Sequence, residues 1–218
     1  MANLPDRGHI LGVMQSPAMA AVTVTTMQQG IHHALFPTAI GACGVAWSER
    51  GLVALALPER DAAATEKRLR GKSHSMGAAE PPPAIADAIA QIQTYCAGEP
   101  VDFSSVPLDL SGIDSERRHI YETMRALNYG ETTTYGELAK RTGSPEADWE
   151  AARDIGVAMG RNPLPIVVPC HRVLAAGGKL GGFSAYGVTA TKETLLALEG
   201  VRRKGAARDE DTPRLPGL

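Results

Sequence analysis

Few cysteines, no long apolar run and little net charge mark this chain, and each shortage closes off a class of protein. Its three cysteines, at positions 43, 96 and 170 of 218 residues, are odd in number and far apart. That excludes a disulfide framework and fits a reducing compartment. Zinc-type ligand spacing is missing, since His32-His33 near Cys43 is too thin a set and reads as a strand-edge feature. No stretch approaches the length of a membrane-spanning helix. The apolar residues from Ala18 to Val24 are interrupted by threonine and lack a basic start, so residues 1-29 read as a loose tail rather than a signal peptide. The expectation is a cytoplasmic protein with no membrane partner, no metal and no cofactor.

What remains is ordinary globular material, 44% hydrophobic and 21% charged, long enough for one large or two small domains. From Ile31 onward the pattern predicts short strands at Ala34-Leu-Phe36, Gly44-Val-Ala-Trp47 and Leu52 to Leu57. The last two are joined through Ser48-Glu-Arg-Gly51 as a hairpin. Apolar residues at helical spacing then predict one helix from Ala62 to Leu69 and another carrying Ile85, Ile89, Ile92 and Cys96, with Cys96 in the core. Val101 to Leu110 reads as a return strand. Beyond Gly112 the character turns helical: a helix capped by Ser115 with Ile120, Met124 and Leu127 on one face, a short one from Thr134 to Gly143, and a third opened by Ser144-Pro-Glu146. The third helix, Trp149 to Met159, carries Ala151, Ala152, Gly156 and Ala158, small residues that suit close approach to another surface. Short helix, turn and small-residue helix is the outline of a helix-turn-helix.

Charge divides along the same line. Residues 1-114 carry 7 basic and 11 acidic side chains, whereas residues 115-204 carry 13 and 10. The excess in the second part is small, and Glu146, Asp148, Glu150 and Asp154 around the third helix would repel phosphates, so charge alone leaves a solvated surface as a live reading.

The chemistry concentrates in Pro165-Ile-Val-Val-Pro-Cys-His-Arg-Val173, where a β-branched run broken by proline presents Cys170 beside His171. The run suits a buried strand or extended segment. A free thiol titrates near ~8.5, so Cys170 becomes a nucleophile only if a neighbouring base assists it. In an extended segment adjacent side chains point to opposite faces, so His171 would act through a water or across a sharp turn. A buried cysteine beside a capping histidine is the competing reading. Downstream lie a glycine-rich loop, Leu174 to Gly187, and a short helix from Thr191 with Leu195, Leu196 and Leu198 inward, Glu199 in its last turn and Gly200 as its cap. A carboxylate at a helix C-terminus meets the negative end of the dipole, and a partner such as His171 would be one reason to keep it there. Solvent exposure would be the other.

Asn162-Pro-Leu-Pro-Ile-Val-Val-Pro-Cys-His-Arg-Val173, with Gly-Gly-Phe-Ser184, Lys192 to Gly200 and Tyr129-Gly-Glu-Thr-Thr-Thr-Tyr-Gly-Glu-Leu-Ala139, resembles the O6-alkylguanine-DNA alkyltransferases, or methylated-DNA–protein-cysteine methyltransferases. The resemblance covers residues 113 to 203 well and 30 to 112 loosely. It implies an α/β N-terminal domain (30-112) with an RNase H-like small sheet and helices. A mostly helical C-terminal domain (113-203) of winged-helix, helix-turn-helix type would follow, with tails at 1-29 and 204-218.

The resemblance implies Cys170 as the alkyl acceptor, His171 as the base acting through water and Glu199 as its orienter. Asn162 would tie the recognition helix to the acceptor segment. Tyr135 would hold the extruded base, while Ser184 and the backbone of Val173 and Cys170 would read the guanine edge. Arg153 would fill the vacated stack, and Phe183 and Lys192 would complete the substrate and DNA contacts. Phe183 stands where some members carry tyrosine, and two extra residues separate Ser184 from Lys192. The implied partner is double-stranded DNA containing O6-alkylguanine, with O4-alkylthymine a second candidate, bound by a monomer. The alternative from another class is a non-catalytic helix-turn-helix protein that binds damage or regulates. The resemblance separates the two by the acceptor cysteine, which binding-only relatives lack. A cysteine-histidine hydrolase, a third class, would turn over an acyl substrate.

Overall fold

The computed structural model describes residues 30–143, 149–180 and 189–201. Three antiparallel strands, β1 (His32–Thr38), β2 (Gly41–Ser48) and β3 (Gly51–Ala56), form a sheet that β4 (Gly77–Ala78) extends parallel to β1, in the order β3-β2-β1-β4. The predicted hairpin is present, with Ser48 opposite Gly51. Gly51 has φ 141°, and a Cβ there would stand 2.4 Å from the Pro107 carbonyl oxygen, so the turn tolerates only glycine.

Period-two alternation explains how β2 is buried on both faces. Cys43, Val45 and Trp47 point into the main core, while Gly44 and Ala46 meet the other layer. That layer is α1 (Ala62–Ser73), whose Leu69 comes so close that a Cβ on Gly44 would lie 2.9 Å from it. α2 (Pro83–Cys96) covers the opposite face with Ile85, Ala88, Ile92, Tyr95 and Cys96 buried. His33 is buried at the end of β1, flanked by both β2 and β4, its Nδ1 2.5 Å from Ser75 Oγ and its Nε2 3.1 Å from Glu66. It therefore ties β1 to α1 and is not an edge residue.

The return strand expected from Val101 to Leu110 does not form. A single parallel bridge joins Leu52 and Leu108, and the Leu52 amide bonds the Pro107 carbonyl. Asp102 turns the chain through Ser104, and Arg125 gathers the carbonyls of Phe103, Ser104 and Val106 on one guanidinium nitrogen. A side chain thus satisfies backbone that the sequence pattern assigns to a ladder.

α3 (Ser115–Arg125) is capped one residue earlier than expected, by Asp114, whose carboxylate accepts the Arg117 amide. β5 (Thr133–Thr134) runs directly into α4 (Tyr135–Arg141), which Thr134 caps, and α5 (Trp149–Gly160) packs on α3 and α4. The opening expected at Ser144-Pro-Glu146 lies outside the described residues. Tyr121 in α3 donates to the Ala158 carbonyl at 2.9 Å, and a Cβ on Gly156 would be 3.8 Å from the Tyr135 ring. Gly156 therefore leaves room for Tyr135 at the start of α4, and Ala158 receives α3. β6 (Val173–Leu174) pairs parallel with β5, and α6 (Thr189–Leu198) closes the described chain. One apolar cluster runs through both parts, from Phe36 and Val45 through Tyr95 to Met124, Cys170 and Leu195.

Candidate active site

Cys170, His171 and Arg172 form a single 3₁₀ turn, and Pro165 to Val168 precede it as turns and a bend instead of the expected strand. The physical reason is local. Ile166 adopts φ 73°, a left-handed conformation that costs a β-branched residue about 1–3 kcal/mol and persists only where surroundings enforce it. The enforcement comes from Asn162, just past the end of α5. Its side-chain oxygen accepts the Leu164 amide at 2.9 Å, and its Nδ2 donates to the Val168 carbonyl at 2.8 Å and to Cys170 Sγ at 3.1 Å. The sharp turn that Cys170 and His171 required is therefore built by a buried asparagine.

The short β5–β6 ladder fixes the rest. Thr133 pairs with Val173 and Thr134 with Leu174, so the ladder holds the start of α4 against β6, with Tyr135, the next residue after β5, level with the end of that strand. Tyr135 is half-buried at the start of α4, and Arg153 is exposed on α5. Lys192 is completely buried in α6, and its ammonium bonds the Val173 carbonyl at 2.7 Å and the Leu180 carbonyl at 2.5 Å. It is turned into the interior, onto the acceptor segment. Phe183 and Ser184 lie outside the described residues.

Glu199 is buried, not solvated. His171 Nε2 lies 2.7 Å from Glu199 Oε1, and Arg172 reaches both carboxylate oxygens through Nε at 3.1 and 3.0 Å and Oε1 through Nη2 at 2.9 Å. The Gly130 amide donates to Oε2 at 3.0 Å, and the Tyr95 hydroxyl donates to Oε1 at 2.7 Å. Arg172 also donates to the Leu127 carbonyl at 2.6 Å. Burial alone would raise the Glu199 carboxyl, but the donors from His171 and Arg172 outweigh it and hold the group at about 2. Gly200, at φ 68°, ends α6 beside it.

The protonation pattern follows. Glu199 is ionised and can only accept, so His171 Nε2 carries the proton and donates. Nδ1 is then a bare acceptor, and it is buried without a hydrogen-bond partner among the described residues. Burial pushes His171 below the ordinary histidine range, with Glu199 pulling it back in part, so the ring rests neutral. Burial likewise pushes the Cys170 thiol up, opposed by the Asn162 hydrogen bond and the Lys192 charge. The resting state is a protonated thiol beside a neutral imidazole, the combination needed for a nucleophile activated only as it reacts.

Tyr95, Arg172 and Gly130 carry none of the expectations drawn from the sequence. The signal for Arg172 was its adjacency to Cys170-His171, together with a buried acid that needed more than one donor. Tyr95 comes from the sheet half and nothing local marks it.

Two family models match the chain: 6-O-methylguanine DNA methyltransferase, ribonuclease-like domain, over residues 31–110, and 6-O-methylguanine DNA methyltransferase, DNA binding domain, over residues 115–201. The methylated-DNA–protein-cysteine methyltransferase of Mycolicibacterium paratuberculosis is 43% identical over 148 residues, 66% of this chain and 85% of that protein. The chain belongs to this family. A crystal structure of the Mycobacterium tuberculosis O6-methylguanine methyltransferase superposes with a TM-score of 0.61 at 34% identity, covering 80% of this chain and 96% of that one. A structure of the M. tuberculosis protein in complex with DNA gives 0.59 at 33%, over 78% and 93%. A Thermus thermophilus relative named DNA base-flipping protein is 41% identical over 110 residues, 50% of this chain and 69% of its own. The expected division into a ribonuclease-like part and a DNA-binding part thus agrees with the methyltransferase family.

Proposed function

We propose that Cys170 is the alkyl acceptor of a DNA repair methyltransferase, taking a methyl or small alkyl group from O6 of guanine in duplex DNA. The observation that carries this is one buried turn that holds Cys170, hydrogen-bonded by Asn162, next in sequence to His171, which is paired with Glu199 and keeps Nδ1 without a hydrogen-bond partner among the described residues. The thiol proton passes through a water to His171 Nδ1 as sulfur attacks the alkyl carbon. The S–C bond forms, the C–O6 bond breaks, and its electron pair leaves on guanine, which takes up a proton. Glu199 stabilises the imidazolium that results, and Asn162 donates to the developing thiolate. A thioether is a poor leaving group, so each molecule acts once.

The O6 atom lies inside the duplex, so the base must be extruded at a cost of a few kcal/mol. α4, the following turn and α5 are read as the helix-turn-helix of a winged-helix-type domain spanning residues 113–203. Arg153, exposed on α5, fills the vacated stack, and Tyr135 holds the extruded base. Base recognition is assigned to Val173, Phe183 and Ser184, and Lys192 supports it by holding the Val173 and Leu180 carbonyls. O4-alkylthymine is a second substrate, and the protein works as a cytoplasmic monomer. DNA binding without transfer, the reading that the Thermus relative's name favours, gives no reason for a cysteine hydrogen-bonded by a buried asparagine beside an ion-paired histidine.

The test is stoichiometry. Titrating a duplex that holds one O6-methylguanine with increasing protein should restore one guanine per protein molecule and then stop. Several guanines restored per molecule would overturn the mechanism.

A further inference from the structure

The hydroxyl of Tyr95, in α2 of the ribonuclease-like part, touches both members of the His171–Glu199 pair although it lies 76 and 104 residues away in sequence. We propose that Tyr95 is a positioning residue of the alkyl-transfer relay, setting the charge balance of Glu199 and the tautomer of His171 from the other half of the chain. The proposal rests on the reading of Cys170 as the alkyl acceptor.

Hydrogen-bond direction makes the argument. The Tyr95 proton goes to Glu199 Oε1 at 2.7 Å, so the phenol oxygen turns its lone pairs toward His171 Nε2, 3.1 Å away. Nε2 then faces two acceptors, the carboxylate and the phenol oxygen. Both favour the proton on Nε2, which leaves Nδ1 as the base. The phenol keeps its proton, because burial and then the Glu199 charge push its ionisation far above the ordinary tyrosine range. Its ring is fixed edge-on to Phe103 and to Tyr129 at centroid distances of 5.7 and 6.0 Å and is fully buried, so the hydroxyl is held in place.

The donated hydrogen bond also has a sign. By sharing the Glu199 charge, Tyr95 lessens the pull of the carboxylate on an imidazolium, which lets His171 remain neutral, and so able to take a proton, to lower pH. The other groups acting on the pair are Arg172, Lys192 and Tyr129, whose hydroxyl donates to the Leu198 carbonyl at 2.6 Å. All of them remain in a Tyr95 variant.

The experiment is a pH–rate profile for methyl uptake from an O6-methylguanine duplex by wild type and Tyr95→Phe, which keeps the ring and removes only the hydroxyl. With the carboxylate pull restored, His171 should keep its proton to higher pH, so the variant should lose up to about tenfold on the acid side of the profile for each pKa unit the limb moves. The acid limb should move to higher pH and the two rates should converge in alkaline solution, with DNA affinity unchanged. A uniform drop at every pH, the mark of a merely structural role, would overturn the proposal, as would a wild-type profile. The unmodified protein gives a check that needs no variant: ring ¹⁵N shifts should show His171 protonated at Nε2 and bare at Nδ1 at neutral pH, and the opposite tautomer would contradict it. Failure of the underlying reading is separable, since wild type itself would then take up no methyl group.

Discussion

Cys43, Cys96 and Cys170 are all completely shielded from solvent, yet they sit in two kinds of interior. Cys43, in β2, and Cys96, in α2, lie among Phe36, Val45 and Ile92, and a hydrogen bond between the two thiols drives Cys43, with burial, well above the thiol range while it lowers Cys96. Cys170 lies where Asn162, His171, Arg172, Lys192 and Glu199 are buried together. If Cys170 is the acceptor, as proposed, burial does not decide which thiol reacts. A hydrophobic core makes a thiol inert, whereas a core of paired polar groups holds it inert until a proton can be taken, and supplies the base that takes it.

The largest expected effect comes from breaking the polar interior. Glu199→Gln removes the charge that compensates buried Arg172 and should cost about 3–5 kcal/mol of stability, together with roughly a 10²-fold slower alkylation at neutral pH. Thermal melts across pH sharpen this. The Glu199 carboxyl is held at about 2 against an ordinary 4.5, so its stabilisation is complete above about pH 4.5 and vanishes as pH falls toward 2. The wild-type advantage over Glu199→Gln should shrink through that window. A gap that stayed constant from pH 6 to 2 would show that the carboxylate is not the source.

How much of this was legible in the sequence follows from what each feature depends on. The hairpin, α1, α2 and α4 could be read because glycine turns, caps and apolar periodicity are local. The Glu199–His171 partnership was only half legible: a carboxylate at the end of α6 called for a partner, but solvent would have met the same need, and the family resemblance, not the position, supplied the pairing. The Val101–Leu110 strand and the extended acceptor segment were misread because long-range groups overrode local preference: Arg125 took the carbonyls of the first, and Asn162 bent the second around Ile166 at positive φ. Tyr95 and Gly130 were invisible because only the tertiary fold brings them to Glu199.

A middle-sized effect separates chemistry from access to the damage. Arg153→Ala, changing an exposed side chain, should alter stability by less than about 0.5 kcal/mol. On a methylated duplex it should lose much of its rate, whereas free O6-benzylguanine, which needs no extrusion, should react nearly normally. Equal impairment on both substrates would make α5 a prop for the acceptor turn and remove the plugging role. The smallest effects belong to the apolar interior: Cys43→Ala and Cys96→Ala should each lower stability by about 1 kcal/mol and leave the alkylation rate unchanged. A slowed reaction in either would blur the contrast between the two interiors.

That contrast is tested most directly by locating the alkyl group. After incubation with an O6-methylguanine duplex, intact and peptide-level mass spectrometry should find one added CH₂ per protein molecule, all of it on the peptide containing Cys170. Methyl on Cys43 or Cys96, or a protein left unmodified while guanine is restored, would contradict the assignment of Cys170 as the acceptor.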